Sequence, residues 1–150
     1  MPLTNYTTSV SAEKSLQQIQ SMLTKAGADS ITIEYNDGRP AALSFSIPST
    51  NGPERFTLPA RPNRVRAVLT RQKVEPRYLT QQHAERVAWA ILRDWVRTQL
   101  AIIASEMVTL PQVMFAYLQT DDTGRPLFDL YTERRQLHLA AGTAGQVFSG

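Results

Sequence analysis

A chain of 150 residues with 42% apolar and 19% charged side chains can close one hydrophobic core unaided, and it contains no run near the roughly 18 apolar residues of a membrane-spanning helix. The absence of cysteine removes disulfides, thiolate zinc sites, iron–sulfur clusters and cysteine nucleophiles together. The net charge of +3 is unevenly spread: residues 55–97 hold ten Lys/Arg against three Asp/Glu, whereas residues 1–54 and 98–150 each hold three against five, which points to an anionic partner.

The opening MPLTNYTTSV has no basic leader followed by an apolar stretch, so no secretory signal and a cytoplasmic location are expected. Ser11 precedes Leu16, Ile19, Met22 and Leu23 at helical spacing, and Gly27 is a stop signal, which predicts a helix over 11–26. SITIEY alternates Ile31, Ile33 and Tyr35 with polar residues, the period of a half-buried strand. NDGR turns the chain back into Leu43, Phe45 and Ile47, and PSTNGP turns it again into a short strand carrying Phe56 and Leu58. Tyr35, Phe45 and Phe56 are all assigned to the core by this pattern.

Beyond Pro62 the period becomes helical, with Asn63 as the expected cap and Val65, Val68 and Leu69 as the apolar stripe. After a loop broken by Pro76, Thr80 caps the longest element, 28 residues without Gly or Pro from Gln81 to Val108. Such a helix would be about 40 Å long and cross the whole domain. Its residues form one apolar face of Ala84, Val87, Ala88, Ile91, Trp95 and Ile102, and a second of Trp89, Val96, Leu100, Ile103 and Met107. One surface helix needs a single stripe, so the second is expected to be central to the fold or an interface in a homo-oligomer. Thr109 to Pro111 open a shorter helix through Leu118, TDDTGRP reads as an exposed turn, and residues 127–139 fit a short helix or a strand equally well. The small-residue segment 140–150 reads as a flexible tail after a single domain of residues 1–139.

Catalytic and metal-binding constellations are not found. His83 and His138 are the only histidines, and the His-Ala-Glu at 83–85 lacks the two cysteines that a zinc deaminase requires. His83 is expected to face water in the first turn of its helix, and Asp121 and Asp122 suit a turn. No glycine-rich phosphate loop, nucleophile elbow or calcium loop occurs, so neither cofactor nor metal is expected. The arginines remain. Arg61, Arg64, Arg66, Arg71, Lys73 and Arg77 cluster along the chain, and Arg86, Arg93 and Arg97 share a helix face. Guanidinium groups bind phosphate or carboxylate oxygens bidentately and keep their charge when half-buried. These nine residues are the candidate ligand-binding set, with a solvated face neutralised in part by Asp94 as the alternative.

The segment QQHAERVAWAILRDWVRTQLAIIASEMVTLPQVMFAYLQ, with MPLTNYTTSVSAEKSLQQIQSMLTKAGA and RFTLPAR, resembles a family of small phage- and prophage-encoded proteins of no established activity. The likeness spans residues 1 to about 130 and is carried by Arg86 to Trp89, Asp94 to Trp95 and Gln99 to Ala101; Ala90 stands where the family usually has a basic residue. The resemblance implies a viral accessory protein of the host cytoplasm, acting in replication or against host defence by binding. The expected fold is α+β: an N-terminal helix with a three-stranded antiparallel meander, then a helical half around the long helix. The expected function is non-catalytic binding of a nucleotide or nucleic acid, or alternatively inhibition of a host protein through an apolar helix face.

Overall fold

The computed structural model of the chain describes residues 2–120 and 124–149, the last eight of these by backbone alone. Its elements are α1 (Ala12–Lys25), β1 (Ser30–Asn36), β2 (Arg39–Ile47), β3 (Glu54–Pro59), α2 (Pro62–Arg71), α3 (Gln81–Ala104), α4 (Leu110–Met114) and α5 (Leu127–Ser149), with 3-10 turns at Pro76–Tyr78 and Phe115–Tyr117. The fold is α+β, with the helix-then-meander order that the sequence pattern predicts.

Local signals start and stop these elements. Ser11 Oγ accepts from the Lys14 amide at 3.1 Å to cap α1. Gly27, at φ +107°, then lets the chain leave the helix in a conformation closed to other residues. Asp37 and Gly38 both take positive φ, which makes a two-residue hairpin loop matched to the twist of β1 and β2. The antiparallel order β1-β2-β3 puts Ile31, Phe45 and Phe56 in one cross-strand row and Ile33, Leu43 and Leu58 in the next. Phe45 and Phe56 stack at 5.2 Å in the core. Beyond β3 the chain returns at Leu118, bridged to Phe56, and Gln119 donates its amide to Arg55 O at 2.8 Å. On the opposite face Ser44 and Thr57 hydrogen-bond at 3.0 Å and Ser46 donates to Asp29 at 2.6 Å, so the polar groups of this buried strip are satisfied.

Tyr35 departs from its predicted place and is 63% exposed. The register shifts between Glu34, opposite Ala42, and Tyr35, opposite Pro40, leaving Ala41 as an extra residue on β2. A bulge of this kind breaks the alternation that put Tyr35 inside.

α3 is the spine, 24 residues long and capped by Thr80, whose Oγ1 accepts from the His83 amide at 3.1 Å. It ends four residues earlier than predicted. Glu106 enters the left-handed region at φ +64° and donates its amide to Ile103 O, closing the helix over Ser105. α1 packs on it from one side and α2 from another, and both apolar stripes are used in the process. Trp89 and Val96, expected at a subunit interface, have no exposed surface, while Leu100 and Ile103 pack half-buried against the same core. Met107, past the end of the helix, is exposed. The two stripes are consumed because a central helix is wrapped by α1, the sheet and the segment that follows it.

His83 also differs from expectation. It is buried, and Nε2 donates to Tyr6 O at 2.5 Å beneath Tyr78. The N-terminal segment lies over the start of α3, which the first-turn position alone does not reveal. Residues 127–139 are helical, and α5 continues through the boundary at which a separate tail was expected. Asp121 and Asp122 lie outside the described residues. None of the described helices is long and apolar enough to cross a membrane.

Candidate anion-binding site

β3 ends at Pro59, and the chain turns through Arg61 into α2 with Pro62 in the first helical position. Proline suits this place because its missing N–H would have no intrahelical partner. Arg61 supplies the cap position but no side-chain hydrogen bond, and the first turn carries no acidic residue. Asn63, predicted to cap this helix, lies inside it and accepts from Gln81 Nε2 at 2.8 Å. Within its own first turn the positive end of α2 therefore has neither a capping side chain nor a carboxylate.

Three elements meet at this end. The β1–β2 hairpin brings Asn36, Asp37 and Arg39, α2 brings Arg61, Asn63 and Arg64, and the first turns of α3 bring Gln81 and Glu85, around an open cleft of about 620 Å³. The Asp37–Gly38 loop fixes the position of Arg39, which pairs with Asn36 at the hairpin's closed end. Trp89 Nε1 donates to Pro40 O at 3.3 Å and ties the hairpin to the middle of α3. Arg39 Nη1 reaches Glu85 Oε1 at 2.9 Å. Glu85 is nine-tenths buried, whereas about half of the Arg39 side chain is exposed. Among the described residues, Arg61 and Arg64 make no ion pair. A shallower apolar depression of about 210 Å³, lined by Pro59, Val65, Ala88, Ile91 and Leu92, shares these two arginines with the cleft.

The predicted basic set is thereby divided. Arg61 and Arg64 face the cleft together. Arg66 donates Nε to Leu79 O at 2.8 Å and borders a separate surface depression with Asn63, Thr70 and Gln81. Arg71 and Lys73 are exposed at the other end of α2, about 15 Å along the axis. Arg77 pairs with Glu75 at 3.0 Å and lies 4.7 Å over the Tyr78 ring. Arg86 is half-buried on α3.

Arg93 and Arg97 converge on Asp94 instead of on the cleft. Asp94 Oδ1 accepts from Arg93 Nε at 2.9 Å and from Arg97 Nη1 at 3.2 Å, while Oδ2 accepts from Asn5 Nδ2 at 2.8 Å. Partial burial works to raise the Asp94 carboxyl, but hydrogen bonds from Arg93 and Asn5 and the two guanidinium charges outweigh it and hold the group below its usual range. This is the salt-bridged alternative for the second arginine row.

Set against protein-family models, curated proteins and solved structures, the chain matches none of them. The cleft rests on its own chemistry. Sequence reasoning missed Arg39, Glu85, Asn36, Asn63 and Gln81, which come from three segments. The Asp-Gly loop was the one local signal, since it marks where a hairpin ends and which side chains flank that end.

Proposed function

We propose that this protein binds a phosphate-bearing ligand, a nucleotide or a nucleic acid, without catalysis, through the cleft between the β1–β2 hairpin and the start of α2. The observation that carries the reading is the pair Arg61 and Arg64, free of ion pairs among the described residues and flanking an uncapped helix N-terminus that opens on the cleft. Guanidinium forks and helix-start amides both favour a doubly charged oxyanion. The volume falls in the range of small-molecule sites. The phage-type setting, in replication or against host defence, is supported by the resemblance of the segments around Arg86 to Ala101 alone.

Calorimetric titration with pyrophosphate, ribonucleotides and short RNA and DNA at two salt concentrations tests this reading. Binding that vanishes in Arg61→Gln/Arg64→Gln supports it. A steep loss with salt that grows with strand length assigns the ligand to nucleic acid, because each phosphate contact releases counterions. Absence of binding to every probe at low salt overturns it.

A second reading, blockade of a protein partner, is favoured by a different observation. The apolar stripes of α3 are buried, but α5 exposes Phe128, Tyr131, Leu137 and Leu139 on a helix that packs on the body mainly near the Phe115–Tyr117 turn. Phe128 and Tyr131, with ring centroids 6.3 Å apart, share one face of the helix, and exposed apolar residues of this kind mark interaction surfaces.

A further inference from the structure

Glu85 is an odd residue to find in a site for an anion. It belongs to the wall of the arginine-lined cleft, is buried over nine-tenths of its surface, and repels any phosphate placed beside it. Its one hydrogen bond among the described residues uses Oε1, toward Arg39, while Oε2 keeps contact with solvent. A carboxylate has room for several donors, and water fills the remaining capacity of Oε2 until a ligand displaces it. Arg39 does not supply the rest, since it makes a single contact and extends into solvent. A ligand that carried phosphate alone would gain from Arg61 and Arg64 and find nothing for Glu85 to do.

We infer that the ligand carries hydroxyl groups next to its phosphate, as a ribonucleotide or sugar phosphate does, and that Glu85 accepts hydrogen bonds from them through Oε2. The inference rests on the phosphate reading of the cleft and adds the class of the ligand. Hydroxyls donate to a carboxylate without bringing charge, so they meet the unfilled capacity of Glu85 and do not compete with the phosphate for the arginines. The neighbouring polar groups fit the same ligand. Asn36, Asn63 and Gln81 line the cleft with amides that both donate and accept, the complement of a polyhydroxyl ring. Arg39 has two available partners in such a complex. It already pairs with Glu85 at 2.9 Å, and it lines the same cleft as Arg61 and Arg64.

The decisive comparison needs no variant. Methyl phosphate and ribose 5-phosphate present the same monoester dianion, and only the second brings hydroxyls. Isothermal titration of the full chain at low salt is expected to show ribose 5-phosphate about 10- to 100-fold tighter, the ratio expected for added hydrogen bonds to a charged acceptor. Glu85→Gln should narrow that ratio and leave methyl phosphate bound no more weakly than in the wild type. Equal affinities for the two compounds in the wild type would sink the role of Glu85 while leaving the phosphate site standing. If neither compound nor any ribonucleotide binds, the phosphate reading fails and this inference goes with it.

Discussion

Arg93 Nε lies 2.9 Å from the carboxylate of Asp94, its neighbour in the chain, and only 12% of the Arg93 side chain remains exposed. Successive residues on a helix point about 100° apart, so the two side chains must fold toward each other. They do so where Ser15 of α1 and Asn5 of the N-terminal segment close over the same spot. This arginine is occupied by the fold. Replacing Arg93 and Arg97 together by Gln is therefore expected to leave phosphate affinity within about 3-fold of wild type. Arg61→Gln/Arg64→Gln should weaken it by more than about 100-fold, since each lost charge-assisted contact costs roughly 1.5–3 kcal/mol. Parallel titrations of the two double variants check this, and equal losses in both would show that the second arginine row reaches the ligand.

The same cluster predicts a pH dependence. Asp94 is held below its ordinary carboxyl range in the folded chain, so the folded state binds this proton more weakly than the unfolded state. Its contribution is fully present above the unfolded value of about 3.9 and is lost as pH falls through the lower folded value. Asp94 is 40% exposed, so solvent screening limits the effect to the range of surface pairs, about 0–1 kcal/mol. Chemical denaturation of wild type and Asp94→Asn should show curves that differ at pH 6 and converge in acid, as the pH falls through the lowered folded-state value. A gap that widens in acid would reverse the assigned sign.

Trp89 links the core to the cleft, and a conservative change there separates the two roles. Its ring is wholly buried, and its indole N–H is the donor to Pro40 O, next to Arg39. Trp89→Phe retains most of the volume but leaves that carbonyl without its donor, at a cost of about 1–3 kcal/mol. The expected result is a folded protein with lower thermal stability and weaker ligand binding. Unchanged affinity in the folded variant would show that Arg39 holds its place without the indole.

Where pattern and structure agree, the information is local. Ser11 with Leu16, Ile19 and Leu23, the Asp-Gly loop, and Thr80 before α3 each define an element through neighbours a few residues away. Where they part, the cause lies far along the chain. Tyr35 is exposed because Ala41 on the facing strand is an extra residue, which no periodicity within SITIEY can register. Trp89 and Val96 read as a spare stripe until α1, the sheet and the later segment are folded around α3. His83 is buried by Tyr6 and Asp94 is bonded by Asn5, both from an N-terminal stretch with no regular pattern. Of the candidate site, Arg61 and Arg64 were visible as charge. Glu85 and Arg39 are 46 positions apart, and only the fold makes them one feature.

Glu106 offers a test of backbone strain. It closes α3 at φ +64°, a conformation that a side chain with a Cβ disfavours and glycine accepts. Among the described residues its side chain makes no hydrogen bond or ion pair. Glu106→Gly should raise stability by about 0.5–1 kcal/mol, or about 1–4 °C in melting temperature for a chain of this size. A lower melting temperature would mean that the entropy glycine adds to the unfolded chain outweighs the relief at the turn.

The exposed residues of α5 lead to the last prediction. Leu137 and Leu139 are 66% and 57% exposed, so removing them should cost the folded body almost nothing, within about 0.5 kcal/mol for surface sites. Leu137 and Leu139 point to opposite sides of the helix, so a partner on either face would lose apolar contact and meet a new charge. Leu137→Glu/Leu139→Glu is therefore expected to leave the melting temperature unchanged and to abolish self-association at micromolar concentration, measured by sedimentation velocity. Phosphate affinity should not move, because the cleft is built from the hairpin, α2 and α3 and contains no residue of α5. A wild type that sediments as a monomer throughout that range would exclude a second copy as the occupant of this helix. A drop in stability of several kcal/mol in the variant would instead show that the two leucines are packed in solution and that α5 lies against the body.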